Sequence, residues 1–339
     1  MQREKSAEEN KYTSTGIKFW KHPSQMESYR EGTGNTVIST HISPTSICNL
    51  DCSYCSVKQR GEFVIELDVI KDYVSKLKSR GLQAAILTGG GEPTVYPEFD
   101  ELVHWLKRDQ KLDVALITNG TLTGRVEPET WNSFSWVRAS LNVFNGWEER
   151  IQIPSEQVSE NCVIGASFIY TGQEIETFRQ VAKVARNFDA NYIRVLPNCL
   201  LPQEQLLKEH DKLENMLNEV SDPLFFHQFK IHGTPKYGSC HQSFFRLYLS
   251  EVNGGTVYPC DSLVLNNQSE HFAKKWKLCD AEQVLDYLDG KIKINFNPKK
   301  DCSGCVFTDS VDMLGDWKET GIGKFEEFFD MDIKHKNFP

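Results

Sequence analysis

No stretch of the 339-residue chain approaches the run of about 18 to 20 apolar residues that a membrane span requires. The start, MQREKSAEENKYTSTG, is polar and charged where a secretory signal would be apolar. Those first sixteen residues read as a mobile polar end. Basic charge is also scarce: the net charge of -9 argues against a broad nucleic-acid surface, although a local basic channel would survive that average. There is no internal repeat of the solenoid kind. Between Cys55 and His104 the sequence has neither Cys nor His, and no Cys follows Cys305.

At 39% hydrophobic, the chain can bury a core sufficient for one large domain and a small one. Its ten cysteines, without an export signal, are better read as metal ligands in a reducing cytoplasm than as a disulfide framework. Cytoplasmic localisation is expected.

Three of those cysteines stand together in Cys48-Asn49-Leu50-Asp51-Cys52-Ser53-Tyr54-Cys55. Soft thiolates prefer iron-sulfur clusters or zinc over hard cations. A structural zinc site would be closed by a fourth Cys or His, here only a distant one, and a small zinc knuckle stays open on spacing alone. A [4Fe-4S] cluster on three cysteines would instead keep one iron for a small molecule.

From about Val37 to Asn198 short apolar runs alternate with helix-period segments, the pattern of βα units and a parallel sheet. Strands are expected at Val37 to Ile42, Ala84 to Thr88, Val114 to Thr118, Val137 to Val143, Val163 to Tyr170 and Tyr192 to Leu196. Leu67, Ile70, Val74 and Leu77 repeat at helical spacing before Gly81, and Ile175, Phe178, Ala182 and Ala185 do so before the sixth strand. A further helix is expected over Gln203 to Val220, with Pro223 as its stop. The cysteine motif thus falls in the loop after the first strand, where parallel α/β folds keep their chemistry. After the second strand comes Thr88-Gly89-Gly90-Gly91-Glu92-Pro93, whose glycines permit close backbone approach but also suit a plain tight loop.

The CxxxCxxC run, with Tyr54 before its last cysteine, resembles the signature of the radical SAM superfamily, and Gly90-Gly91-Glu92-Pro93 is similar to that family's GGEP motif. The resemblance implies a partial (β/α)6 parallel-stranded barrel and a [4Fe-4S] cluster on Cys48, Cys52 and Cys55. It further implies that S-adenosylmethionine chelates the open iron and is reductively cleaved to a 5'-deoxyadenosyl radical that abstracts a substrate hydrogen. Gly90, Gly91 and Glu92 are expected at the methionine amino end and Tyr54 at the adenine. Asn119 and Ser140, with Asn142 nearby, are candidates for the ribose or carboxylate, against the simpler reading of polar turn formers. Gly165 is a candidate for close approach of the adenine.

Beyond Pro223 a β-rich stretch, Arg246 to Tyr258, contains the hairpin signal Asn253-Gly254. Cys240 precedes it, Cys260 follows it, and Cys302 and Cys305 form a later CxxC. This arrangement resembles the twitch domain, a shortened relative of the SPASM domain, and implies one auxiliary [4Fe-4S] cluster on Cys240, Cys260, Cys302 and Cys305. A four-cysteine zinc ribbon is the alternative. Cys279 is taken as a non-ligand, Cys162 as a small buried hydrophobe. Cys199, at the expected barrel mouth, is a candidate hydrogen-atom donor against the reading of an ordinary thiol.

The expected domains are a polar N-terminal extension at 1–36, a radical SAM core at 37–222 and an auxiliary-cluster domain at 223–339. The implied partners are a low-potential donor such as flavodoxin or ferredoxin and a peptide or small-molecule substrate undergoing oxidation, cross-linking or epimerisation. A nucleic-acid- or nucleotide-modifying enzyme and a non-catalytic iron-sulfur or zinc protein are the rivals. The 47 residues before Cys48 are too few for a winged-helix leader-binding domain, which tempers the peptide reading. Lys336-Asn337-Phe338-Pro339 lacks the paired-glycine tail of molybdenum-cofactor cyclases, which argues against that activity.

Overall fold

The computed structural model describes residues 5–57, 61–265, 272–321 and 333–339. Its centre is a run of short buried strands: β1 (Ser39–Ile42), β2 (Ala84–Leu87), β3 (Asp113–Thr118), β4 (Phe134–Ser140), β5 (Val163–Tyr170) and β6 (Tyr192–Pro197). These are the six expected strands, with ends shifted by a few residues. Apolar side chains occupy both faces, as in parallel sheets covered on the two sides: all four residues of β2 are buried. Between the strands, the helix Leu67–Lys78 buries Ile70, Tyr73, Val74 and Leu77, and Ile175–Asn187 buries Phe178, Val181, Ala182, Val184 and Ala185. Those stripes follow the helical period and cover the sheet. Gly81, at φ 104°, adopts the positive φ that favours glycine after the first of these helices.

The later segment adds β7 (Phe225–His227), β8 (Arg246–Ser250), β9 (Thr256–Tyr258) and β10 (Cys279–Asp280). The sheet order is β10-β9-β8-β1-β2-β3-β4-β5-β6-β7. Pairings from β8 through β1 to β7 are parallel, whereas β8–β9 and β9–β10 are antiparallel. The result is an open, mostly parallel α/β sheet, a partial barrel carrying a hairpin. Asn253, at φ 54°, turns that hairpin. The boundary expected at 222/223 falls within this continuous sheet, since β7 bonds to β6 and β8 to β1.

The expectation of a mobile first sixteen residues is not met from Ser6 onward; Met1 to Glu4 lie outside the described residues. Ser6 and Glu9 form a reciprocal capping box on the helix Ala7–Tyr12. The second carboxylate oxygen of Glu9 accepts the Phe229 N–H at 2.9 Å, just beyond β7. Tyr12 stacks on Tyr192 of β6 with ring centroids 4.3 Å apart. Farther on, Phe19, Trp20, Met26 and Tyr29 share a buried cluster with Phe245, Leu314 and Trp317. Charge on this segment sits at helix ends and in buried bonds, so its composition looks like that of a loose tail.

Glu9→Ala removes the Glu9 half of the capping box and the carboxylate acceptor of the Phe229 N–H, and should cost about 1–3 kcal/mol in urea unfolding. The exposed neighbour change Glu8→Ala should stay within about 0.5 kcal/mol. Equal effects would show that the Glu9 contacts do not anchor the segment.

Candidate functional site

The cysteine loop leaves β1 through a neck closed by main-chain bonds. Thr45 and Val64 form an antiparallel bridge, Ser46 N–H donates to Phe63 O at 2.9 Å, and Ile65 N–H donates to Pro44 O at 2.9 Å. Cys48, Cys52 and Cys55 are therefore presented on a loop whose two ends are pinned. Cys55 N–H donates to Cys52 O at 3.0 Å, which turns the chain between the last two cysteines. All three are partly exposed and none of the ten cysteines is in a disulfide.

The second loop packs against this neck with no space for side chains. A Cβ on Gly91 would collide with the Ile47 carbonyl oxygen, and one on Gly90 with the Glu251 carboxylate; at Gly89 it would stand 2.6 Å from Ser43 Oγ. Gly90 N–H donates to Ser43 Oγ at 2.7 Å, Gly91 N–H to Thr45 O at 3.0 Å, and Glu92 N–H to Ile47 O at 2.9 Å. The glycines thus allow two loops to touch, the geometric use of a missing Cβ.

Glu92 is 2% exposed, and its carboxylate faces inward. One oxygen accepts from Thr94 N–H (3.2 Å), Thr94 Oγ1 (2.8 Å) and Thr118 Oγ1 (2.6 Å); the other accepts from Asn119 N–H at 2.7 Å. Burial pushes its pKa up, and these donors pull it back. Asn119 continues the chain of bonds: its amide donates to Asn49 Oδ1 at 2.8 Å and lies 4.0 Å from Cys48 Sγ. Asn49 in turn donates to Thr121 Oγ1 at 2.8 Å. Glu92 is connected to the first cysteine through Asn119.

Tyr54, half-buried, donates its hydroxyl to Asn142 Oδ1. Burial and then the neighbouring thiols of Cys52 and Cys55 raise its pKa. Asn142 is available because β4 starts and ends three residues earlier than expected: Asn142 N–H turns back to Ser140 O at 2.9 Å and leaves the ladder. Ser140 is the last β4 residue, opposite Ser167 of β5. Gly165 has a different use from the one expected, since the Tyr192 ring fills the place where its Cβ would stand. Beside Tyr54 opens a cavity of about 270 Å³, lined also by Gly89, Ile169, Cys199, Lys230 and Tyr248.

The four later cysteines lie within electrostatic reach of one another. Cys240 is pushed up to about 12 by burial, then by Cys305 and Cys302; Cys260 is raised by burial, then by Asp261, Cys240 and Cys305. Cys302 is pushed up to about 11 by burial, with the Trp276 side chain pulling it back. An antiparallel bridge to Gly233 holds Cys305. Cys279 is buried in β10 opposite Val257, and Cys162 packs at the edge of the main core. Among the described residues no three His, Cys, Asp or Glu side chains converge as a metal site. The chemistry of both sets still fits iron-sulfur ligation: free thiols, three on a pinned loop and four among which Cys240 and Cys260 each feel two of the others.

Residues 42–143 match the radical SAM superfamily, the segment that spans both loops, Asn119 and Ser140. This segment is a radical SAM domain. Radical SAM enzymes use a [4Fe-4S] cluster and S-adenosylmethionine. The chain is 36% identical over 95 residues to a GTP 3',8-cyclase of Chlorobaculum tepidum, covering 27% of this chain and 28% of that protein. It is 26% identical over 222 residues to a GTP 3',8-cyclase of Alkaliphilus oremlandii, covering 55% and 68%. Streptococcus suis SuiB bound to S-adenosylmethionine shares the fold at TM-score 0.53 and 15% identity, over 84% of this chain and 75% of that one. No helix among the described residues is long and apolar enough to cross a membrane.

Sequence reasoning missed Ser43, Asn49, Thr118, Thr121 and Glu251. Asn49 lies inside the cysteine motif and could have been suspected; the others become neighbours only when strand ends align. Gly91→Ala in the radical SAM domain should destabilise by about 1–3 kcal/mol through overpacking. Gly124→Ala, where nothing lies within 4 Å, should stay within about 0.5 kcal/mol in the same unfolding assay. A tolerated Gly91→Ala would show that the loop contact is loose.

Proposed function

We propose that this protein is a radical SAM enzyme acting on a small molecule held in the cavity beside Tyr54. The observation that carries the proposal is the direct packing of the Gly89–Gly91 loop on the neck of the Cys48–Cys55 loop, inside the matched superfamily segment. Cys48, Cys52 and Cys55 would hold the cluster, and Gly90, Gly91, Glu92, Asn119, Ser140 and Tyr54 would border S-adenosylmethionine. When bound, that pair supplies one-electron reductive cleavage and hydrogen-atom abstraction.

The chain's own residues supply position. Glu92, with its carboxylate committed to four internal bonds, holds the ends of β2 and β3 together and acts on the cofactor side through its backbone. Asn119 and Asn49 fix the Cys48 end of the loop. Cys199 lines the cavity beside Tyr54, with burial raising its pKa so that it stays protonated, the state that a hydrogen-atom donor requires.

Residues 223–339 would form the twitch/SPASM-like part, with Cys240, Cys260, Cys302 and Cys305 on an auxiliary cluster fed by a low-potential donor. Nucleotide chemistry is favoured over peptide chemistry by the relatives named GTP 3',8-cyclase. The earlier alternative of a non-catalytic metal protein would leave the Gly89–Glu92 loop without a ligand.

Reduced, reconstituted protein should release 5'-deoxyadenosine from S-adenosylmethionine, measured by chromatography, and Cys48→Ala, Cys52→Ala or Cys55→Ala should bring this to background. Full activity in any one of the three would exclude this site. Cys302→Ala or Cys305→Ala should lower iron from about eight to about four atoms per chain while the first cluster still assembles. Unchanged iron would remove the auxiliary cluster.

A further inference from the structure

Inside the barrel, below the mouth cavity, lies a second cavity of about 70 Å³. The two share Lys230 and Asp261 in their walls. Among the described residues lining the inner one, Lys18, Arg138, Arg194, Lys230 and Arg246 face a single acidic side chain, Asp261. They come from five separate places in the chain, and the fold alone gathers them.

Lys18, Arg138 and Arg246 are buried, Arg194 and Lys230 half-buried, and the three arginines are incompletely paired. Lys18 is 2% exposed, Arg246 3% and Arg138 8%. Arg194 donates to Ser167 Oγ at 3.0 Å and Arg246 to a carboxylate oxygen of the last residue, Pro339, at 2.7 Å. Arg138 Nε, Arg194 Nε, Arg246 Nη2 and the facing His41 Nε2 have no hydrogen-bond partner. Asp261 is already engaged by His41 Nδ1 at 3.2 Å. Burial and mutual repulsion act on the lysines: Lys18 is pushed down to about 7 by burial, then Arg138 and Arg246, and Lys230 down to about 8 by burial, then Arg194.

Aromatic faces compensate only in part. Arg138 sits 5.2 Å from the Trp136 ring centre, while Arg246 and Lys230 sit 4.4 and 5.1 Å from that of Phe307. Such contacts return less than burying an unpaired cation costs. Arg246 also feels Cys260, Cys240 and Cys305, so a cluster there would account for that one residue. For Arg194 the opposing groups within reach are Tyr192, Cys199 and Asp261, none of them an auxiliary-cluster cysteine. Asp261 alone does not balance Lys18, Arg138, Arg194 and Lys230 across the cavity.

We propose that the inner cavity is a phosphate-chain subsite and that the substrate is a small molecule bearing two or more phosphate charges. Guanidinium forks match phosphate oxygens, and the small volume favours the anion with the most charge for its size. The inference rests on the radical SAM reading for the location of the reacting end: the phosphates sit at the inner floor and the rest of the molecule runs up to the cavity beside Tyr54.

Anaerobic calorimetry on the reconstituted full chain, with inorganic triphosphate as probe, GTP as the nucleotide arm and citrate as the carboxylate arm, tests this. Triphosphate and GTP should bind, and Arg138→Gln and Arg194→Gln should each weaken binding by about tenfold or more, with Lys230→Gln as a further variant should either misfold. Lys183→Gln, on the exposed surface, should change nothing. Absence of triphosphate binding, binding indifferent to the folded variants, or citrate bound as tightly as triphosphate would overturn the subsite. Triphosphate binding needs no reductant. Wild-type protein that makes 5'-deoxyadenosine but binds no triphosphate overturns the subsite alone; binding without 5'-deoxyadenosine supports it and overturns the radical SAM activity.

Discussion

The buried Glu92 carboxylate is the tie on which the site depends. It takes donors from Thr94, Thr118 and Asn119, and so joins the turn after β2 to the end of β3. A carboxylate removed from water is costly unless donors surround it, and four donors make its position stiff as well as tolerable. Stiffness passes outward through Asn119 to Asn49 and the first cysteine. The three thiols stand on a loop, but that loop is closed at its neck and braced from the side by a glycine turn without Cβ atoms.

The second constraint is the sheet itself. Residues after Pro223 do not form a detached appendage: β7 extends one edge and β8 the other, flanking the six strands that precede them. The N-terminal segment then packs Phe19 and Trp20 against Phe245 and Trp317, joining the start of the chain to its last third. The cavity beside Tyr54 accordingly draws its walls from the loop after β2, from the end of β5, from Cys199 after β6 and from Asp261 after the hairpin. Such a pocket cannot be assigned to one domain.

A protein interior normally avoids what the inner cavity contains. Incompletely paired guanidinium groups in a low-dielectric site lower stability, and the nearby rings offset only part of that cost. Sites that hold such arrangements without a ligand sacrifice stability for recognition. The net charge of -9 hides this local excess completely, because composition averages over surfaces that never meet.

Much of the fold was legible because parallel strands and covering helices leave local periodic marks. The strand Val163–Tyr170 and the helix Gln203–Val220 carry their own boundaries in apolar runs and in Pro223. The cysteine spacing and the glycine run likewise specify chemistry over a few residues. Long-range neighbours leave no such mark: Tyr192 filling the space before Gly165, Asn142 turned toward Tyr54, and five cations meeting across the barrel depend on strand register and on which face each side chain takes. By itself the sequence determined the parallel α/β framework and the kinds of ligand its loops can offer, since both follow from local pattern and residue chemistry. Tertiary structure alone decided that Glu92 braces rather than reaches outward, and that the barrel floor is cationic, because only the closed chain brings those groups out of water and into one another's fields.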